Sequence, residues 1–486
     1  MKYGHLDLGA LGKILIVIIS CLVVLTSLSS CEKEAIAADK LTEIPAEDTE
    51  GTIKTPTDTE QDTTEADEPE QEPTSSIILS GDANGRLIID GNNEKYDCHT
   101  PIAIKRGIYT NIQIKNLKGQ KGCPIQITND GLVEVVGLRN HMLISDVAYV
   151  DIRGNGNSGI EHGFLFRDNE FRAIILDGTI DDIGITHIEF KNIGDYVISY
   201  NNKTPYDGSP DSYSNNISFS YLKANNTGAL IHFSGGISGS TIQGLVKNLE
   251  ISHVTYRNAP KAKNVVNIGM VVDYHVHHNV FQNINMENDD HNAVFLLNGN
   301  GRFYNNYISD HQGNALRAWS VSVGNTPMET QIYNNIVVNS RKYSAFEVQS
   351  FESSMIAGKT TFTNIKIFNN TCGNLNLSRD WYGVVVDAYR LFGGTCQVFN
   401  NLAFNLPTPH PESNFVSYMS IAKDALTLSN NLYFSTSKEA GIIDEKELKL
   451  NSTSKAKGQG RGTTLVTYDF YNQSRNTRSP SVGAVE

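Results

Sequence analysis

The sequence predicts an all-β solenoid, a parallel β-helix, from two observations: a recurring asparagine beat and short alternating runs between the beats. The beat reads His278-Asn279-Val280, Asn305-Asn306-Tyr307, Asn334-Asn335-Ile336, Asn369-Asn370-Thr371, Asn400-Asn401-Leu402 and Asn430-Asn431-Leu432. Its second Asn falls at 279, 306, 335, 370, 401 and 431, at intervals of 27, 29, 35, 31 and 30 residues. A fixed beat with elastic spacing marks turns that stack on one core while loops of different length hang outside it. Runs such as Ile188-Glu189-Phe190, Ile217-Ser218-Phe219 and Leu249-Glu250-Ile251 alternate apolar and polar residues, which is the period of a strand. The repeats lack the i, i+3, i+4 spacing that helical repeats need.

The asparagines have a structural reason to recur. A coil bends sharply between strands, and Asn tolerates the left-handed backbone that such bends require. Inward Asn side chains can also hydrogen-bond from coil to coil as a ladder.

The N-terminus reads as targeting sequence. Lys2 and Lys13 precede an apolar run over 14–25 that is short for a spanning helix. The run leads into Leu28-Ser29-Ser30-Cys31, which resembles the lipobox of bacterial lipoproteins. That resemblance implies a signal peptide over 1–31, lipidation of Cys31 and, with Glu32-Lys33 following, an outer-membrane lipoprotein exposed at the cell surface. Residues 32–76 are rich in Thr, Glu, Asp and Pro and too poor in apolar side chains to fold, so they read as a disordered tether. The tether has a net charge of -12 and the signal segment +1, which leaves only -2 of the total -13 for residues 77–486. The working domain is therefore nearly neutral. It has no basic stripe for nucleic acid, reads as a monomer, and meets the membrane only through its anchor.

Of the six cysteines, Cys21 belongs to the signal segment and Cys31 to the lipid. Cys98 and Cys123 open matching strands, since Pro101-Ile102-Ala103-Ile104 aligns with Pro124-Ile125-Gln126-Ile127. An envelope location permits a bridge between them, and bridge and free thiols both stay open. Cys372 and Cys396 are out of register against the beat and read as two free, buried thiols.

The beat, the Cys98-x-x-Pro101-Ile102 opening, the lipobox and the terminus over 481–486 together resemble the right-handed parallel β-helix repeat proteins of the pectate-lyase-like superfamily. The resemblance implies a right-handed coil over 77–486 and a polysaccharide partner. It does not choose an activity, because the motifs of polygalacturonases, apart from Asp289-Asp290, and those of pectate lyases are absent. A polysaccharide lyase on a uronic-acid-containing glycan is the first expectation. A glycoside hydrolase on the same fold and a non-catalytic glycan-binding or adhesive protein are the alternatives.

Stacking locates a candidate site without motifs, because equivalent positions in successive coils lie about 4.8 Å apart. The strands after the beats align as 293–297, 315–319, 345–349 and 383–387. Val294, Leu316, Phe346 and Val384 then point inward. Phe295, Arg317, Glu347 and Val385 form one outward column, and Leu297, Trp319, Gln349 and Asp387 a second. Asp289-Asp290-His291 and Asp310-His311 precede these strands, with the two His in equivalent places. Elimination on a uronate needs a neutraliser for the carboxylate, a base and an acid. Arg317 suits the first, His291 or His311 the second, while Asp289, Asp290 or Glu347 could hold Ca2+. Hydrolysis needs two carboxylates, which Glu347 with Asp310 or Asp387 could supply. The catalytic set is therefore Arg317, His291, His311 and Glu347, with Trp319, Gln349, Asp387 and Asp310 as substrate contacts. A column before the beats, His277, Tyr304, Tyr333, Phe368 and Phe399, suits sugar faces or a covering loop, and covering is the expectation. Asp273, His275 and His277 alternate as metal ligands do.

Overall fold

The structure is a computed structural model describing residues 76–391, 393–419 and 423–486; the signal segment and the tether through residue 75 lie outside it. A single coil illustrates the architecture. The chain runs along Ala293–Tyr304, bends at Asn305-Asn306, continues through Tyr307–His311 and re-enters at Asn314–Val323. Apart from the antiparallel pieces Gly236–Ser238, Thr241–Gln243 and Thr360–Phe362, the strands pair in parallel with their equivalents in neighbouring coils, so three sheets wrap a single core. In the first sheet Leu316 pairs with Phe346 and Phe346 with Val386. In the second, Phe303 pairs with Ile332 and Ile332 with Ile367. In the third, Ile308 pairs with Val337 and Val337 with Cys372. The fold is a parallel β-helix, as the beat predicts.

Inward positions stack like with like. Phe295, Leu316, Phe346 and Val386 form one fully buried column and Phe303, Ile332, Ile367 and Val398 another. Cys372 is a rung of the third-sheet column, between Val337 and Ala403, where a small apolar side chain fits. It and Cys396 are free and buried, as expected, and burial pushes the Cys396 thiol up to about 12. Such thiols are inert. Cys98 and Cys123 are bridged, with Cα atoms 5.3 Å apart, which closes the alternative left open by the sequence.

The two asparagines of each beat divide the labour. The first takes the left-handed corner, with φ of 52° at Asn305 and Asn334, 53° at Asn369 and 55° at Asn400. The second points inward and forms the ladder. Asn306 donates to Asn335 at 3.0 Å, Asn335 to Asn370 at 2.9 Å and Asn370 to Asn401 at 2.9 Å. Each carboxamide also donates to a backbone carbonyl, such as Phe303 O for Asn335 and Ile332 O for Asn370. Its oxygen takes the backbone N–H of the preceding Asn as well, so both donors and the acceptor are used.

Residues after the last coil are not strands but pack along the outside of the third sheet, with Phe470, Ala484 and Val485 against Val280, Tyr307, Ile336 and Val338. Buried Arg475 fastens this tail, donating to Asn334 Oδ1 at 3.0 Å and to Gly483 O at 2.9 Å. The tail covers the aromatic column at Tyr333, Phe368 and Phe399, whose rings stack at 5.2 and 4.9 Å, with the Arg461 guanidinium 3.9 Å from the Phe399 ring. The covering expectation therefore holds for these three. The alternation at Asp273, His275 and His277 gathers no metal set. His275 meets Asp273 at 3.3 Å and Arg302 at 2.9 Å, while His277 lies 3.6 Å from Glu250. The hydrogen bond to His277 leads in lowering the Glu250 carboxyl to about 2.

Candidate functional site on the first sheet

The outward column of the first sheet differs from the alignment in its register. Arg317 pairs with Glu347 as expected, but Glu347 pairs with Asp387 and Asp387 with Ser417. The loop over 378–383 is longer than the beat implied, which moves the fourth strand by two positions. Asp387 therefore joins Arg317 and Glu347 in one column instead of following Trp319 and Gln349. The first strand is off by one. Leu316 pairs with Phe295, so Phe295 and Leu297 are core residues and Leu296 and Asn298 occupy the outward columns. A one-residue slip reverses every side chain of a strand.

Glu347 is the centre of the site. Its side chain is 2 % exposed, and Arg317 Nε and Nη2 both lie 3.0 Å from Oε1. The second oxygen, Oε2, is 2.9 Å from His291 Nε2. Arg317 also donates through Nη1 to the backbone carbonyl of His291 at 3.1 Å, which ties the 288–292 loop down to the sheet.

The imidazole's tautomer follows from its neighbours. His291 Nε2 is also 3.0 Å from Asn314 Oδ1, and the Asn314 amide nitrogen is spent on Ser344 O and Oγ at 2.9 and 3.0 Å. Both groups facing Nε2 are acceptors, so Nε2 carries a proton. The ring is held flat against Tyr343, at 4.1 Å between centroids and 15° between planes.

Asp387, one strand beyond Glu347, is 8 % exposed and accepts from Ser417 Oγ at 2.7 Å. Burial raises its pKa, and the charge of Glu347 adds to the rise against the opposing Ser417 bond. The site thus holds one carboxylate neutralised by a guanidinium and one carboxyl biased towards its protonated form. For an acid with a raised folded-state pKa, the extra stability is fully present below its unfolded pKa and is lost as pH rises through the folded value. Asp387→Asn is expected to remove this loss, so the variant gains stability over the wild type on going from pH 4 to pH 7. Thermal melts across that window check it, and equal pH slopes for both proteins would contradict the assignment.

The rim comes from the loops that enter the first sheet. Tyr343, Trp381 and Tyr382 form a chain of rings, with centroids 5.8 and 6.1 Å apart, and Tyr382 meets His410 at 4.8 Å. Trp381 and Tyr382 are each 41 % exposed. Two cations flank Tyr343: Arg341 pairs with Asp289 at 2.9 Å and Lys342 with Asp380 at 3.0 Å. Sequence reasoning missed this rim because the loops have no common length. The signal it had was position, since every rim residue falls between an Asn corner and the next strand.

Several expected contributors lie elsewhere. His311 is not equivalent to His291. It pairs with Ile284 and Ser340 in the third sheet, is fully enclosed, and burial takes its pKa down to about 4. A neutral, enclosed imidazole has no access to substrate. Asp310 occupies a left-handed corner, with φ of 53°, and accepts from Asn339 at 3.2 Å at the head of a half-buried ladder running through Asn374 and Asn405. Asp289 faces Arg341 rather than another acid, and Asp290 is exposed, its carbonyl taken by Gln312 at 2.7 Å. Ca2+ needs six to eight converging oxygens, and these residues do not make that cage. Trp319 and Gln349 do pair as neighbours, with Trp319 edge-on to Phe351 at 5.6 Å.

No protein-family profile and no curated protein matches this chain. Among solved structures, an alginate lyase from Paenibacillus sp. str. FPU-7 is 15% identical, covers 72% of this chain and 99% of its own, and has a TM-score of 0.39. A PL6 family polysaccharide lyase from Pseudopedobacter saltans is 12% identical over 82% of this chain and 99% of its own, with a TM-score of 0.41. A pectate lyase gives 12% identity, 82% and 96% coverage and a TM-score of 0.37. These likenesses accompany the fold and decide nothing about the chemistry at Glu347.

Proposed function

We propose that the protein is a polysaccharide lyase acting on a uronic-acid-containing glycan, held at the outer surface of the outer membrane by lipid on Cys31. One observation carries the reading: the His291 imidazole lies 2.9 Å from the buried Glu347 carboxylate, one strand from the buried Asp387 carboxyl. Base and acid with separated preferences are what proton transfer at two ends of one bond requires.

In this mechanism His291 Nδ1 takes the proton on the carbon next to the uronate carboxyl. The electron pair forms a carbon–carbon double bond, the bond to the glycosidic oxygen breaks, and Asp387 gives that oxygen its proton. Glu347 stabilises the imidazolium as it forms, and Arg317 holds Glu347 in place. Arg341 and Lys342 at the rim meet the substrate carboxylate, exchanging their exposed partners Asp289 and Asp380 for it. Elimination is favoured over a glycosyl-enzyme hydrolysis because Glu347 is 2 % exposed and its Oε1 is held by Arg317, so it has little access to a sugar as a nucleophile.

The test incubates the full chain with uronate-containing and neutral polysaccharides and follows ultraviolet absorbance and reducing ends together. Both rising in step on an acidic glycan is the expected result. Reducing ends without absorbance would replace the lyase by a hydrolase, and neither signal on any glycan would leave a binding protein. The anchor rests on the residues around Cys31, and membrane fractionation of Cys31→Ser checks it: a variant that stays membrane-bound contradicts it.

A further inference from the structure

Beside the ionic centre, on the same sheet face towards the N-terminal coils, runs a groove of about 620 Å³. That volume lies within the roughly 300–1,000 Å³ usual for a ligand pocket. Its floor carries His232, Asn267, Leu296 and Asn298, and Trp319 and Phe351 stand within it. The hairpin Gly236–Ser238/Thr241–Gln243 lines one part and the 351–354 loop another. The Lys359 ammonium ties that second wall to the hairpin, bonding Ser240 O at 2.8 Å.

The floor is continuous with the reaction centre. His232 pairs with Asn267, Asn267 with Leu296, Leu296 with Arg317 and Arg317 with Glu347. A polymer lying along the coil axis over Glu347 therefore enters this groove, with about 4.8 Å of strand spacing per step.

Its chemistry differs sharply from that of the centre. Among the described residues lining it, none is Lys, Arg, Asp or Glu. Its one titratable side chain is His232, which burial, ahead of the nearby Arg172, pushes below the usual imidazole value. Neutral donors and acceptors remain, together with a large indole whose Nε1–H is enclosed without an acceptor in the protein. Such a surface fits a hydroxyl-rich sugar ring, whose apolar face packs on an aromatic. A carboxylate placed there would lose its water and find no cation in exchange.

We propose that this groove is a subsite for an uncharged sugar residue, so that the substrate is a mixed glycan in which neutral residues accompany the uronate, not a homopolyuronate. The inference rests on the lyase reading for the position of the uronate, but the groove's preference for neutral sugar stands by itself. Asn267 and Trp319 set that preference, the first by being uncharged and the second through its ring.

Calorimetric titration of the full chain tests it, using neutral tetrasaccharides of glucose, galactose, mannose and xylose beside tetragalacturonate and tetramannuronate. At least one neutral probe is expected to bind to the wild type and to His291→Ala alike. Trp319→Ala is expected to weaken that binding tenfold or more. Trp319→Phe, which keeps a ring and loses the N–H, guards against misfolding and is expected to fall between the two. Asn267→Lys is expected to shift preference towards the oligouronates. Oligouronate binding that Trp319→Phe weakens, with every neutral probe inert, would overturn the proposal. Neutral-sugar binding without cleavage of any polymer would remove the lyase reading and leave the groove in place. Cleavage of a homopolyuronate with no neutral binding would do the reverse.

Discussion

Replacing Glu347 by Ala is expected to destabilise the protein by about 3–5 kcal/mol, the usual consequence of removing one partner from a buried ion pair. The variant leaves the Arg317 guanidinium, 17% exposed, without its counter-charge and the His291 imidazole with Asn314 Oδ1 in place of two acceptors. Glu347→Gln keeps the shape and one acceptor oxygen, so its loss should be smaller. The informative double variant is Arg317→Met with Glu347→Leu, which removes both charges. It is expected to recover most of the loss, because buried pairs replaced by apolar groups of similar volume are often neutral or better. Urea denaturation of the wild type, Arg317→Met, Glu347→Leu and the double variant gives the coupling directly. Additive losses, with no recovery in the double variant, would mean that Arg317 and Glu347 do not act as a pair.

Asn370→Ala should be comparably damaging with no effect specific to substrate. Asn370 donates to Ile332 O, Phe368 O and Asn401 Oδ1 and accepts from both the backbone and the side chain of Asn335. Leaving a buried polar group unsatisfied costs about 1–3 kcal/mol each, so the total expected is roughly 3 kcal/mol or more. Its neighbour Asn369 supplies the contrast. With φ of 53° it serves mainly as a left-handed corner, so Asn369→Gly is expected to be nearly silent and Asn369→Val to cost about 1–2 kcal/mol. Equal denaturation midpoints for Asn370→Ala and Asn369→Gly would defeat the division of labour between corner and ladder.

The fold was legible because the physics of stacking is local and repeated. An Asn at the same corner in every coil does the same two jobs, so each copy reinforces the reading of the others. The pairing of Arg317 with Glu347 was legible for the same reason, since no long insertion separates their strands. Asp387 was misplaced because register passes through the loop before it, and loops carry no beat. His311 was misjudged because sequence spacing put it level with His291, whereas His311 ends a third-sheet strand and His291 lies in a loop before the first sheet. The rim of Tyr343, Trp381 and Tyr382 could not be read at all: single aromatics in loops of unequal length show no period. The tail that covers the third sheet was hidden likewise, since 435–486 carries few strand runs and finds its place by packing on surfaces formed upstream.

In the proposed elimination, His291 takes a proton off carbon and Asp387 gives one to the glycosidic oxygen, with no water added. Mass spectrometry of the products from one defined acidic oligosaccharide, cut once by the wild type and by His291→Ala, tests it most directly. Two fragments whose masses sum to that of the substrate are expected, with the rate falling about 10²–10⁴-fold in the variant, as for loss of a general base. Fragments that together weigh one water more than the substrate, or an unchanged rate in His291→Ala, would contradict it.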